Sequence, residues 1–272
     1  MSVVRSQHPG SIVSLRMLWW MASVARRAGA AVMTYYGQPS AVEDHGGRGP
    51  TTDADRASNR IIIDALRRWD ATVPIVSEES GIADYDTRRQ WSRFWLVDPL
   101  DGTKEFLREE ADFTVNIALV EGDRPVAGVV FAPVPDVMYF AGRNLGAWRQ
   151  IGVEPAERLR STPPASGQPL RVVESRSHRS GALDAFLACL PIAERVSVGS
   201  SLKFCRVAEG RADLYARLTP LMEWDAAAGD CVYRYSGARG ERFSPLRYNS
   251  RDLRIPRFVI GDEGQFDQEG TR

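Results

Sequence analysis

The stretch Asp98-Pro99-Leu100-Asp101-Gly102-Thr103 sets two carboxylates three residues apart around a proline, directly after the apolar run Phe94-Trp95-Leu96-Val97. Pro99 keeps Asp98 out of a helical conformation and Gly102 permits backbone angles that other residues resist, so the pattern predicts a strand ending in a sharp, acid-bearing turn. At ~4 Å and an effective dielectric of ~20, two such charges repel by ~4 kcal/mol, so the pair either shares a proton or holds a cation. No histidine or cysteine stands nearby, and hard oxygen donors favour magnesium over zinc. The same residues also serve as ordinary turn formers or a helix cap, which leaves both readings open at this point.

Two more acids occupy comparable places. Val73-Pro74-Ile75-Val76-Ser77 reads as a short strand that ends at Glu78-Glu79. Trp224-Asp225-Ala226-Ala227-Ala228 opens a helical run with an acid near its N-terminus, where the helix dipole orients it and neutralises part of its charge. Taken singly, Glu78-Glu79 is a solvated surface pair and Asp225 a cap.

The elements that must position these groups follow from periodicity. Met17 to Tyr36 carries apolar residues at helical spacing, and Arg26-Arg27 interrupts the run well short of a membrane span. It predicts an amphipathic first helix in preference to a signal peptide, with Trp19-Trp20 used in packing. Gly46-Gly47-Arg48-Gly49-Pro50 predicts a flexible loop. Thr51 to Trp69 then reads as a helix capped by Thr51 or Thr52. Ala111 to Arg149 predicts an antiparallel meander, Glu154 to Pro169 a connector, and Leu170 to Val173 and Glu194 to Val198 strands among helices. The organisation expected is an N-terminal α+β lobe over 1–152, with the large antiparallel sheet and most of the acids, and a C-terminal α/β lobe over 153–272, ending in a frayed polar tail.

With 35 basic and 35 acidic side chains in 272 residues, no global field attracts nucleic acid or an anionic membrane, so any phosphate recognition is local. Cys189, Cys205 and Cys231 lack metal-like spacing, which predicts reduced thiols in a cytoplasmic protein without a transmembrane segment. Association with the inner face of a membrane, and the choice between monomer and homodimer, are left open. His8 and His45 fall in surface loops.

Together, Glu78, the run Asp98 to Thr103 and the Trp224 to Ala226 helix start resemble, in order, the signature of the magnesium-dependent, lithium-sensitive phosphatases of the inositol monophosphatase superfamily. The wording Trp95 to Phe106, Phe113 to Leu119, Ser175 to His178 and Gly199 to Cys205 is similar to the bisphosphate nucleotidase branch of that family. The resemblance implies a layered α-β-α-β-α sandwich of the inositol monophosphatase and fructose-1,6-bisphosphatase type. It implies two or three magnesium ions held by Glu78, Asp98 (bridging), the Leu100 carbonyl, Asp101 and Asp225, with Glu78 also serving a third ion. Thr103 and Asp55 would activate the attacking water. Asp53 departs from the small residue usual in relatives.

Substrate recognition is expected from the second half. Gly199, Ser200 and Ser201 follow a strand and open a helix, offering N–H groups and hydroxyls to a second phosphate beside Lys203, while Ser175 and His178 complete the pocket with Asp225. The bland alternatives are a solvated lysine and a loop histidine. The function implied is removal of the 3'-phosphate of adenosine 3',5'-bisphosphate, or of its sulfated form, to give AMP and phosphate in sulfate assimilation. An inositol monophosphatase or broad sugar phosphatase, and a non-catalytic cation-binding regulator, stand as alternatives.

Overall fold

The computed structural model describes residues 13–38, 42–44, 50–161, 167–177, 180–237 and 246–261. The expected glycine loop from Gly46, the polar tail, His8, His45 and His178 lie outside these residues. The helices are α1 (Leu15–Met33), α2 (Asp53–Trp69), α3 (Tyr85–Arg88), α4 (Thr103–Leu107), α5 (Gly181–Leu187), α6 (Leu202–Ala208) and α7 (Glu223–Arg234). The strands are β1 (Glu43–Asp44), β2 (Pro50–Thr51), β3 (Ile75–Ser77), β4 (Arg93–Asp101), β5 (Thr114–Glu121), β6 (Arg124–Ala132), β7 (Val137–Gly142), β8 (Gly146–Ile151), β9 (Glu157–Arg158), β10 (Leu170–Ser175), β11 (Ile192–Val198), β12 (Leu214–Arg217), β13 (Leu221–Met222), β14 (Arg254–Ile255) and β15 (Phe258–Gly261).

β3 to β9 form one sheet in sequence order, parallel only between β3 and β4. A second sheet runs β11-β10-β12-β15, with β15 antiparallel. Strand alternation sorts the core into layers. Trp95, Val97, Val115, Ile117, Val129 and Phe140 point to α1 and α2, where they meet Met21, Val24, Ile62 and Leu66. Phe94, Leu96, Ala118, Val130 and Ala141 point the other way, to Phe204, Trp224, Ala227, Cys231 and, beyond them, Val173, Tyr215 and Phe258 of the second sheet. Leu170, Val172, Leu214 and Ala216 on that sheet's far face cover Leu183 and Leu187 of α5. The order is therefore α1/α2, seven strands, α6/α7, four strands, α5, which is the α-β-α-β-α sandwich expected.

Three local expectations are refined. Helix α1 forms as predicted, but its tryptophans divide: Trp20 stacks on Trp69 at 4.2 Å between ring centroids, whereas Trp19 is 45% exposed at the edge of Phe140. The connector after Glu154 is not wholly irregular, because β9 adds an edge strand, with Arg149 reaching Glu157 at 3.0 Å. The strand before the paired acids does not stop at Asp98. Asp98 pairs with Asn116 and Asp101 with Thr114, three steps on β4 against two on β5, so Pro99 and Leu100 sit in a bulge with one extra residue. A proline is tolerated there because the bulge breaks the ladder at the position where its missing N–H would be needed.

Candidate active site

The bulge is held from two sides. Leu100 N–H donates to Asp98 Oδ1 at 3.0 Å, closing the turn that the Asp-Pro pair predicts, and Ser58 Oγ of α2 donates to the Pro99 carbonyl at 2.7 Å. Gly102 follows at φ +94°, where a side chain would also press on the Asp112 carbonyl and Phe113, and it lets the chain turn into α4 with Thr103 at its start. Asp101 is fixed from the second half of the chain, since its Oδ2 accepts from Ser201 N–H at 2.7 Å and from Asn116 Nδ2 at 3.2 Å. Ser201 Oγ in turn donates to the Asp225 carbonyl at 2.5 Å, tying the start of α6 to the start of α7.

Together these elements enclose a cleft of about 290 Å³. Glu78, Asp98, Leu100, Asp101, Thr103 and Asp225 line it together with Ser175, Ser200 and Lys203, and the Lys203 charge acts on both Asp101 and Asp225. Asp55 lies behind Thr103: its Oδ2 accepts from Thr52 N–H and Oγ in the α2 capping box, and its Oδ1 is 3.5 Å from Thr103 Oγ1. The Leu100 carbonyl, 3.2 Å from Thr103 Oγ1, is the alternative acceptor for the single hydroxyl proton.

Burial and like charge dominate the acidic end. Asp98 is pushed well above the usual carboxylate range by burial, then by Glu78, Asp101 and Asp225. Burial, then the charges of Asp225 and Glu79, raise Glu78 to about 9. Burial and Asp101 raise Asp225 to about 7, against the pull of Arg217. Asp101 is raised by burial despite Lys203 and its hydrogen bonds from Ser201 and Asn116, and Asp55 is raised by burial to about 6 despite its bonds from Thr52. No three acidic, histidine or cysteine side chains among the described residues form a finished metal cage. The donor set nevertheless fits a hard divalent cation: it is all oxygen, and its negative charge exceeds what Lys203 and Arg217 balance.

The loop after β11 differs from the expected cradle. Gly199 N–H donates to Asp112 Oδ2 at 3.1 Å and Ser201 N–H to Asp101, so neither is available to a phosphate as it stands. Lys203 is 4% exposed and no solvated lysine; its Nζ bonds the Ser200 carbonyl at 2.5 Å and that of Val198 at 3.3 Å, clamping the loop while its charge still faces the cleft. Burial lowers its pKa to about 8, with Asp101 acting against the shift. Ser200 stands at φ +50°, and its buried hydroxyl has no partner among the described residues.

The sequence reading missed Glu105, Tyr215, Arg217, Met222 and Arg254, all of which line the cleft. Arg217 ends β12 and Arg254 begins β14, so a cation at a strand end was the only local signal for either.

The match to known proteins is broad. The inositol monophosphatase family model matches residues 18–265. The 3'(2'),5'-bisphosphate nucleotidase CysQ of Escherichia coli K12 is 42% identical over 240 residues, spanning 87% of this chain and 95% of that protein. CysQ of Haemophilus influenzae is 31% identical, over 90% and 92% of the two chains. Among solved structures, CysQ from Bacteroides thetaiotaomicron, described as a bacterial member of the inositol monophosphatase family, superposes with a TM-score of 0.76 at 35% identity, covering 92% of this chain and 98% of that one. An IMPase from Thermotoga maritima, at 23% identity and a TM-score of 0.73, shares the fold over 91% and 92% of the chains. Matched along nearly its whole length in sequence and in layer order, the chain belongs to the inositol monophosphatase family.

Proposed function

We propose that this chain is a magnesium-dependent 3'(2'),5'-bisphosphate nucleotidase that converts adenosine 3',5'-bisphosphate to AMP and phosphate, serving sulfate assimilation. The observation that supports the reading is that one cleft gathers the carboxylates Glu78, Asp98, Asp101 and Asp225 and, beside them, the cations Lys203 and Arg217 with Ser175 and Ser200. A substrate with two phosphates suits a cleft that offers both a metal-binding acid cluster and cations, and the nucleotidases named above match 87% and 92% of the chain.

Glu78, Asp98, Asp101, Asp225 and the Leu100 carbonyl would hold the magnesium. When bound, the metal supplies charge neutralisation at the phosphate and acidifies water. The chain's own residues supply direction. Thr103 Oγ1 donates toward Asp55 and accepts from the attacking water, so the water's proton passes through the hydroxyl to Asp55 Oδ1. A carboxylate raised to about 6 is matched to holding that proton near neutrality. The bond from phosphorus to the water oxygen forms as the bond to the sugar 3'-oxygen breaks, and that oxygen takes a proton from solvent to become the 3'-hydroxyl of AMP. Lys203, Ser200, Ser175 and Arg217 hold the distal phosphate and set the register.

Phosphate release from adenosine 3',5'-bisphosphate and inositol 1-phosphate, compared with magnesium and with or without lithium, tests this. Nucleotide preference with lithium inhibition is expected. Inositol preference would replace the substrate and keep the acidic end, and no release from either would favour the cation-binding regulator.

A further inference from the structure

One carboxylate in the cleft wall has no part in the chemistry above. Glu105 lies in the first turn of α4, just past Thr103, and is 5% exposed. Its Oε1 accepts from Ser177 Oγ at 2.5 Å, and no second donor reaches it among the described residues. A carboxylate offers about four acceptor sites, so Ser177 does not exhaust its capacity; it lines the cleft with Ser200 and Lys203, and the charges of Lys203 and Arg176 lie near it.

Its position is narrowly set. The backbone of the β11–α6 loop lies against it: a Cβ on Gly199 would stand 3.1 Å from Glu105 Cγ. Glu105 is thus tied through α4 to the reacting end at Thr103, and through Gly199 to the distal end at Ser200. An acid between two phosphate positions repels phosphate and selects a neutral hydrogen-bond donor. In a nucleoside bisphosphate, the part between the phosphates is the pentose.

We propose that Glu105 is a specificity-determining residue that accepts a hydrogen bond from the free 2'-hydroxyl of the substrate ribose. The inference rests on the nucleotidase reading and names which part of the substrate this wall of the cleft recognises.

The test compares kcat/KM for adenosine 3',5'-bisphosphate and its 2'-deoxy analogue, both with magnesium. The unmodified protein should prefer the ribonucleotide by about tenfold or more, the scale of a hydrogen bond to a charged acceptor. Glu105→Leu should bring the ratio near unity, chiefly by raising KM for the ribonucleotide. Glu105→Gln, whose amide oxygen still accepts, should keep part of the preference. Equal kcat/KM for the two nucleotides in the unmodified protein overturns the inference and depends on no variant folding. Full preference retained by a folded Glu105→Leu overturns it too. No release from either nucleotide overturns the nucleotidase reading and this inference with it; equal release overturns only the inference.

Discussion

Thr103 has two partners within reach, Asp55 Oδ1 at 3.5 Å and the Leu100 carbonyl at 3.2 Å, and these define what its hydroxyl does. A group that relays a proton acts in the transition state more than in substrate binding. Thr103→Ala is therefore expected to lower kcat by about 100-fold or more with little change in KM, as read from steady-state phosphate release. A change confined to KM would remove Thr103 from water activation. The pairing of Thr103 with Asp55 shows how much one residue's chemistry owes to distant sequence. The helix-cap role of Thr52 and Asp55 was legible locally, since the capping box is a short-range pattern. Their approach to Thr103 was legible only by resemblance, because it requires α2 to lie along β4.

Among the elements, the junction between β11 and α6 carries the sharpest steric constraint. Gly199 approaches the Asp112 carbonyl so closely that an added Cβ would stand 2.5 Å from it and 2.7 Å from Asp112 Cβ, both backbone-anchored. Gly199→Ala must displace the loop, and with it the Ser201 N–H that holds Asp101. The expected outcome is a loss of both magnesium affinity and turnover, together with destabilisation of about 1–3 kcal/mol, measured by metal titration and urea unfolding. Wild-type metal affinity in this variant would separate the loop from the acidic end. Elements with one clear period, such as α1, α2 and the β5–β8 meander, were readable from the sequence. The continuation of β4 through Pro99 was not, because its cause is the Ser58 bond from α2 and the pairing of Asp101 with Thr114, neither of which leaves a local signal. Lys203 lines the cleft, and its fold-back onto the Val198 and Ser200 carbonyls depends on burial against the second sheet, which leaves no local signal.

Across the whole molecule, the acidic cleft makes stability depend on pH and on metal together. Glu78, Asp225 and Asp55 have folded-state pKa values of about 9, 7 and 6, above the ordinary values these groups regain on unfolding. Between the ordinary and raised values the folded chain binds more protons than the unfolded one, so metal-free stability falls as pH rises from about 4 through about 9, the Glu78 value. A divalent cation that binds only the folded chain reverses this by mass action. Melting curves of the metal-free protein should therefore shift down between pH 5 and pH 8 by several degrees, at about 2 °C or more per kcal/mol for a chain this size, and added magnesium should raise the melting temperature more at pH 8 than at pH 5. Asp98→Asn should flatten the metal-free pH slope while abolishing the magnesium effect. A pH-independent melting temperature would show that the carboxylates do not share the cleft in solution.

Helix α7 is both the middle layer of the sandwich and the carrier of Asp225. Glu78 just after β3 and the two acids of β4 meet Asp225 only when α7 is seated between the two sheets. Recovery of activity during refolding therefore reports closure of the sandwich. The same arrangement makes the cleft a proofreader of assembly: a chain caught with its sheets formed but its middle layer unseated keeps its secondary structure and hydrolyses nothing.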